Sequence, residues 1–378
     1  MATFASSKSD ASLEDATGAG PYPYPPSWVD RLTDWIRGLP VPFWLLYLIP
    51  PVVLFAAMTI INLSDGTYSA MYTAGNTAGL YKIGSFFIYP FHAVPEFVAF
   101  YALALMHYLD DVAHRALKSF RPALHIDDAH YRALDYRLTT LPARPTLLAS
   151  LLGTLFAVGV LSSITAFFPD FSTKLILFTS PAATIIAWSV FVILWFIWGA
   201  VTYHTIRQLR LVRHIYSVYT HIDLFNLHPL YSFSWLTART GIGWILATYA
   251  FMLTAPGLTE NIITLGILVF NVVFATAAFA WPLVGIHTKL EEAKSARIYA
   301  SNRSFESLSA QLHRGIESKD LVNMSSVKDG LEAISREMEH LEKIHTWPWK
   351  RETVGGLSTA LILPVILWLI TRSLDRLL

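Results

Sequence analysis

SFFIYPFHAVPEFVAFYALALMHYLDDVAHRAL, residues Ser85–Leu117, is a hydrophobic stretch that carries a carboxylate, Glu96, where lipid is expected. At about 100° per residue in a helix, its titratable side chains share one face. A proton or cation that leaves water needs such a stripe, because each group replaces part of its hydration shell. The pattern predicts an ion or proton path through His92, Glu96 and His107.

A structural interpretation of the same residues stays open. A Glu one helical turn from a His can be a neutral clamp that is hydrogen-bonded between helices, with burial keeping the carboxyl protonated. Asn271, in the middle of another apolar run, is included in the predicted path, although an Asn at that depth usually bonds a neighbouring helix.

Composition indicates an integral membrane protein. Hydrophobic residues make up 54% of the 378 residues and charged residues only 15%, and several apolar runs exceed about 18 residues. The net charge is +1, without a basic arm, so we expect no nucleic-acid partner. The chain has no cysteine, which excludes disulfides, thiolate metal sites and cysteine nucleophiles.

These runs predict an all-α fold, a polytopic membrane helical bundle of about seven transmembrane helices. The expected spans are 42–63, 84–108, 146–167, 182–203, 237–255, 262–286 and 354–372. We divide the chain into a Pro-rich disordered tail with an interfacial amphipathic lead-in (1–40), a six-span membrane domain with cytoplasmic helical loops (41–286), a cytoplasmic helical hairpin (287–350) and a final span (351–378).

The distribution of Lys and Arg predicts the orientation. The connections 109–145 and 287–353 contain several Lys and Arg residues, and 204–236 contains Arg207, Arg210 and Arg213. Lys82 and Lys174 are the only basic residues in the connections 64–83, 168–181 and 256–261. The positive-inside rule then predicts a multi-pass protein of the plasma (cytoplasmic) membrane, the inner membrane of the cell, with its N-terminus in the cytoplasm.

The hairpin has the spacing of a coiled-coil seam. Apolar residues recur at intervals of three and four along its return arm, which predicts two arms that pack antiparallel. They are Met324, Val327, Leu331, Ile334, Met338 and Leu341. We expect the hairpin to join copies of the chain in a homo-oligomer or to bind a cytoplasmic protein. Trp347 and Trp349 follow it and are expected to anchor the chain in the lipid headgroup layer.

One constellation has ligand-type side chains at helical spacing. His107, Asp110, Asp111 and His114 lie at i, i+3, i+4 and i+7, which gives a candidate metal site. No Walker loop, GxSxG elbow, HExxH or GxGxxG is present, so an enzyme is the least favoured class and no cofactor is assigned. The leading hypothesis is an oligomeric ion- or proton-conducting channel or transporter, and the alternative is a non-conducting scaffold or sensor.

Overall fold

The computed structural model describes residues 23–66, 81–83, 86–88, 90–167, 181–252, 262–318, 324–349 and 352–362. Within these residues the chain is helical apart from one short β hairpin. The helices are α1 (Trp28–Arg37), α2 (Phe43–Ser64), α3 (Pro90–Phe120), α4 (Asp128–Thr139), α5 (Ala143–Phe167), α6 (Pro181–His214), α7 (Ser232–Met252), α8 (Ile262–Ser318), α9 (Met324–Lys343) and α10 (352–362). Shorter turns are 3-10 helices at Arg121–Ala123 and His228–Tyr231 and a π-helical turn at Ile215–Tyr219, which extends α6.

The helical fold class is confirmed, and the chain has the composition of a membrane protein. Three helical stretches in the described part of the chain are long and apolar enough to cross a bilayer: Phe43–Ser64, Trp188–Tyr219 and Val269–Glu317. Large apolar side chains on several helices point away from the core, as a lipid-facing surface requires. Leu155, Ile185 and Phe270 are each 67% exposed. The number of spans stays a prediction, and most of the predicted last span, 363–372, lies outside the described residues.

Helix α3 lies at the centre of the bundle and packs against α2, α6 and α7. The C-terminal part of the helix is closely buried, with Ala102, Met106 and Leu117 fully enclosed. The predicted start of this span, residue 84, is wrong: strands β1 (Tyr81–Ile83) and β2 (Phe86–Ile88) pair as an antiparallel hairpin, and the helix begins at Pro90. A proline suits the first helical position, because its fixed φ fits the helix and its missing N–H is not needed there.

Helices α5 and α6 approach each other closely at two glycines. A Cβ added to Gly153 would lie 2.5 Å from the Trp195 carbonyl oxygen, and one added to Gly199 would lie 2.2 Å from the Ala149 carbonyl oxygen. Because real Cβ atoms do not approach a carbonyl oxygen so closely, these backbones can meet only where both side chains are hydrogen.

The long helix α8 continues without interruption from its apolar half into the polar half that the sequence assigns to the hairpin. Helix α9 returns along it in the antiparallel direction. Lys294 Nζ donates to the carbonyls of Glu342 and Ile344, and Arg297 Nε lies 2.8 Å from Glu337 Oε1. The apolar residues of the α9 seam are buried or half-buried, as their spacing predicts, although Gly330 and Glu337 are half-buried as well. Coiled-coil packing itself stays a prediction.

Trp347 and Trp349 pack on α8. Their rings stack on each other at 4.3 Å, Trp347 stacks on His287 at 3.9 Å, and Trp349 stacks on Phe279 at 5.4 Å. These contacts hold the end of the helical pair against α8, and a role in membrane anchoring stays a prediction.

Candidate functional site

Glu96 is the carboxylate of the predicted path, and it is buried. It lies on α3, its residue is only 2% exposed, and its Oε2 has no hydrogen-bond partner among the described residues. The buried residues of α2 that face this part of the bundle are Met58 and Asn62. Because Tyr47 of α2 contacts His107 of α3, antiparallel packing at about 1.5 Å per residue brings residues 58–62 level with Glu96.

An apolar layer separates Glu96 from the C-terminal end of α3. Ala99, Ala102, Leu103 and Met106 are all buried there. Tyr101 is the one titratable side chain of α3 between Glu96 and His107, and its hydroxyl donates to the Gly243 carbonyl oxygen at 3.0 Å. Transfer along this helix would therefore have to cross about three turns without a carboxylate or imidazole.

His107 lies at the inner edge of this layer and is held by two side chains. Its Nε2 accepts from Arg37 Nε at 2.9 Å, and its Nδ1 lies 3.2 Å from the Tyr47 hydroxyl. Because Nε2 accepts, a neutral ring carries its proton on Nδ1 and donates it to Tyr47. Arg37 also contacts Asp111 at 3.1 Å, so α1 is joined to α3 at two points.

Asp110 forms the second buried polar contact, one turn beyond His107. Its Oδ1 lies 2.9 Å from His204 Nε2 and 3.4 Å from Gln208 Nε2, and both partners belong to α6. Burial raises the pKa of Asp110 to about 6, although the nearby His204 acts to lower it. The group lies beyond the predicted end of span two, residue 108, on the predicted cytoplasmic side.

The two residues of α6 that contact Asp110 each have a buried polar atom without a hydrogen-bond partner in the described part of the chain. These atoms are His204 Nδ1 and Gln208 Oε1. Both residues are 2% exposed. A buried polar atom that is not hydrogen-bonded costs about 1–3 kcal/mol, so a core evolved for stability alone would favour apolar residues here. This cluster is therefore a second candidate site, linked to α3 through Asp110.

Helix α1 closes this end of the bundle. Ser27 and Asp30 form a capping box, and the Asp30 carboxylate also accepts the backbone N–H of Leu141. Burial raises the pKa of Asp30. The Asp30 carboxylate also interacts electrostatically with His204 and Asp110. The predicted lead-in is thus a helix that packs into the protein. One face of α1 is apolar, so Ile36 is buried in the bundle and Trp28 packs against Phe196.

The four candidate metal ligands do not converge on one point: each contacts other side chains, and His107 and Asp111 share Arg37. His107 binds Arg37 and Tyr47, Asp110 binds His204, Asp111 binds Arg37, and His114 Nδ1 lies 2.8 Å from Asp135. No group of three or more His, Asp or Glu side chains gathers as a metal site within the described ranges. A metal needs several ligands that converge on one point, so this arrangement does not favour the metal interpretation.

The remaining predicted path residues are less informative. Asn271 lies partly buried on α8, and the side chain of His92 lies outside the described residues. Sequence reasoning missed Asp30, Arg37, Tyr47, His204 and Gln208. The S-x-x-D capping box at Ser27 and the i, i+4 pair at His204 and Gln208 were visible, but nothing in the sequence linked them to α3.

A scan of protein-family models, a search of curated proteins and a search of solved structures find no match to this chain.

Proposed function

We propose that the chain is a multi-pass protein of the cytoplasmic membrane that conducts protons or small cations, with Glu96 as the intramembrane binding site. We place the N-terminus in the cytoplasm and the membrane bundle in a homo-oligomer joined through α8 and α9. Orientation rests on the Lys and Arg distribution, and assembly rests on the exposed apolar side chains of α8, such as Tyr299 and Ile316, since the seam of α9 already packs on α8.

The burial of Glu96 carries this proposal. An ionisable group in the middle of a membrane segment is costly, and such groups are usually retained because an ion or proton uses them. Glu96 is 2% exposed, and its Oε2 has no partner within the part of the chain that the structure describes. Both observations fit a carboxyl that takes up and releases a proton or cation better than one that clamps two helices.

The buried polar group of His107, Asp110, His204 and Gln208, called the inner cluster, supplies the cytoplasmic end of the same route. From Glu96 an ion would pass the apolar layer and reach His107, then Asp110 and His204. An apolar constriction between two polar sites suits a gate, because dewetting stops ion flow until the helices move apart. Helix α1 lies over the inner cluster, so its displacement would open the route to the cytoplasm.

Flux measurements with a Glu96→Gln variant test the proposal. We expect the wild-type chain in proteoliposomes to dissipate a pH or cation gradient and the variant to lose most of this flux, because the amide cannot take up a charge. Glu306→Gln is the matched control, since Glu306 is exposed on the polar half of α8. Equal flux in Glu96→Gln and wild type, or no flux in either, would contradict the proposal.

The alternative is a non-conducting scaffold or sensor that binds a cytoplasmic protein through α8 and α9. One observation favours it: the polar half of α8 carries exposed apolar side chains, with Tyr299 at 71% and Ile316 at 54% exposure. Exposed apolar residues on an otherwise charged helix suit a partner surface.

A further inference from the structure

Arg239 on α7 lies between two aromatic rings. Its guanidinium carbon is 4.1 Å from the centre of the Trp235 ring and 5.2 Å from the centre of the Tyr108 ring. Among the described residues the guanidinium has no hydrogen-bond acceptor and no carboxylate partner, and its contacts are with the two rings. Five N–H donors are therefore held in place by ring contacts and remain available for an anion.

The surroundings of Arg239 match a lipid-facing surface. Trp235, Arg239, Ile242 and Leu246 are spaced at i, i+4, i+7 and i+11, and they are the residues of α7 that stay exposed or half-exposed along one face. Trp235 is 48% and Leu246 is 51% exposed. An apolar stripe thus leads away from the guanidinium along the helix, as an acyl chain would lie below its phosphate.

A second arginine–tryptophan pair lies at the same height. Arg213 is placed over the Trp281 ring at 5.2 Å. Gly241 of α7 faces Ala275 of α8, where an added Cβ would lie 2.9 Å from the Ala275 carbonyl oxygen. Counting six residues in opposite directions along these two helices reaches Trp235 and Trp281. Tryptophans are enriched at the headgroup level of a membrane, so the common level of Trp235 and Trp281 suits that layer.

We propose that Arg239, with Trp235 and Tyr108, binds the phosphate of an anionic phospholipid in the inner leaflet. The inference rests on the membrane location proposed above and is independent of ion conduction. The planar guanidinium binds two phosphate oxygens at once while the rings cover its faces. The apolar stripe distinguishes a phospholipid from free phosphate, which has no chain to lie along it.

Native mass spectrometry of the full chain in detergent tests the site. We expect phosphatidylglycerol to be retained in preference to phosphatidylcholine, and Arg239→Gln to weaken the retention of phosphatidylglycerol by about tenfold, since a charge-assisted hydrogen bond of this kind contributes on the order of one such factor. Arg303→Gln is the matched control, because Arg303 is exposed on the polar half of α8. Arg239→Lys keeps the charge and loses the fork, so we expect an intermediate effect.

Trp235→Leu provides an independent variant if Arg239→Gln does not fold, which circular dichroism would show. It keeps the charge, removes one ring and should also weaken retention. Phosphatidylglycerol retention that is unchanged in both variants, or equal retention of the two lipids, would overturn the inference. Full displacement of the lipid by millimolar inorganic phosphate would overturn the assignment to a phospholipid. Ion flux measured on the same variants separates this outcome from failure of the proposed conduction.

Discussion

Asp110 is a carboxyl whose burial disfavours its charged form. His204 and Gln208 face it from α6, and Asp30 and Arg37 face it from α1. Burial outweighs the attraction of His204 and Arg37, so its pKa rises from an ordinary 3.8 to about 6. The folded protein therefore binds this proton more tightly than the unfolded chain does. The stability that the group contributes is fully present below pH 3.8 and is lost as the pH rises through about 6.

Asp110→Asn should remove this pH dependence. Between pH 4 and pH 7 we expect the free energy of unfolding of the variant, relative to wild type, to shift in favour of the variant by up to about 3 kcal/mol. Thermal or denaturant unfolding of the purified chain in detergent across this range measures the shift. Asp111→Asn is the control, because its half-exposed contact with Arg37 contributes about 1 kcal/mol at most. A difference between wild type and Asp110→Asn that stays constant with pH would contradict the assignment.

The identity of the titratable residues on α3 was predictable, and their partners were not. Helical periodicity places Glu96, His107 and Asp110 on one face, because the 3.6-residue repeat is a local property. The partners of His107 and Asp110 come from α1, α2 and α6, up to 98 positions away along the chain. Periodicity shows which face is turned inward without showing which helix lies opposite.

At the scale of helices, the α5–α6 contact is the most constrained in the described bundle. Two glycines, on different helices, each meet a backbone carbonyl of the partner. Because backbone atoms cannot move aside as a flexible side chain can, a methyl group added here must push the two helices apart. Small residues at such contacts are common where helices pack inside a membrane.

Gly199→Ala should therefore destabilise the protein by about 1–3 kcal/mol. The thermal unfolding midpoint in detergent, followed by circular dichroism, measures the effect. Gly159→Ala is the matched control on α5, since a Cβ there meets nothing within 4 Å, and it should leave the midpoint unchanged or slightly higher. Equal midpoints for the two variants would show that the helices do not depend on this close approach.

The lengths of the elements also decide which of them can be recognised from sequence periodicity. Helices α6 and α8 continue beyond their apolar halves, and the 3–4 spacing of apolar residues after those halves, with no helix-breaking residue, indicates this continuation in the sequence. The β hairpin before Pro90 was missed, since Phe86–Ile88 is an apolar run too short to distinguish a strand from a helix by period.

At the scale of the whole molecule, the chain combines an apolar bundle with a polar helical pair, and the two proposed functions assign the main role to different parts. Conduction depends on the bundle around Glu96. A scaffold depends on the polar half of α8 and on α9. A variant that shortens the pair and leaves the bundle intact separates them.

Replacing residues 303–333 with a Gly-Ser linker of about four residues shortens the pair above the Arg297–Glu337 contact, and such a linker spans the 8–10 Å between packed helices. If the chain conducts, we expect flux to persist, with any loss of oligomer visible by light scattering in detergent. If it is a scaffold, partner proteins recovered with the full chain should be lost. An unchanged oligomer and unchanged partners would contradict both the assembly role and the scaffold function.

Helix α8 also has a mechanical consequence. Its 57 residues form a rod about 85 Å long, and no loop interrupts it between its apolar start and Ser318. Pro282 is the one proline inside it, and it leaves the Ala278 carbonyl without its usual N–H partner. Bending is therefore easiest beside the Arg213–Trp281 contact. A sideways force on the far end of the rod would therefore exert a torque at this point, equal to the force times the distance along the helix.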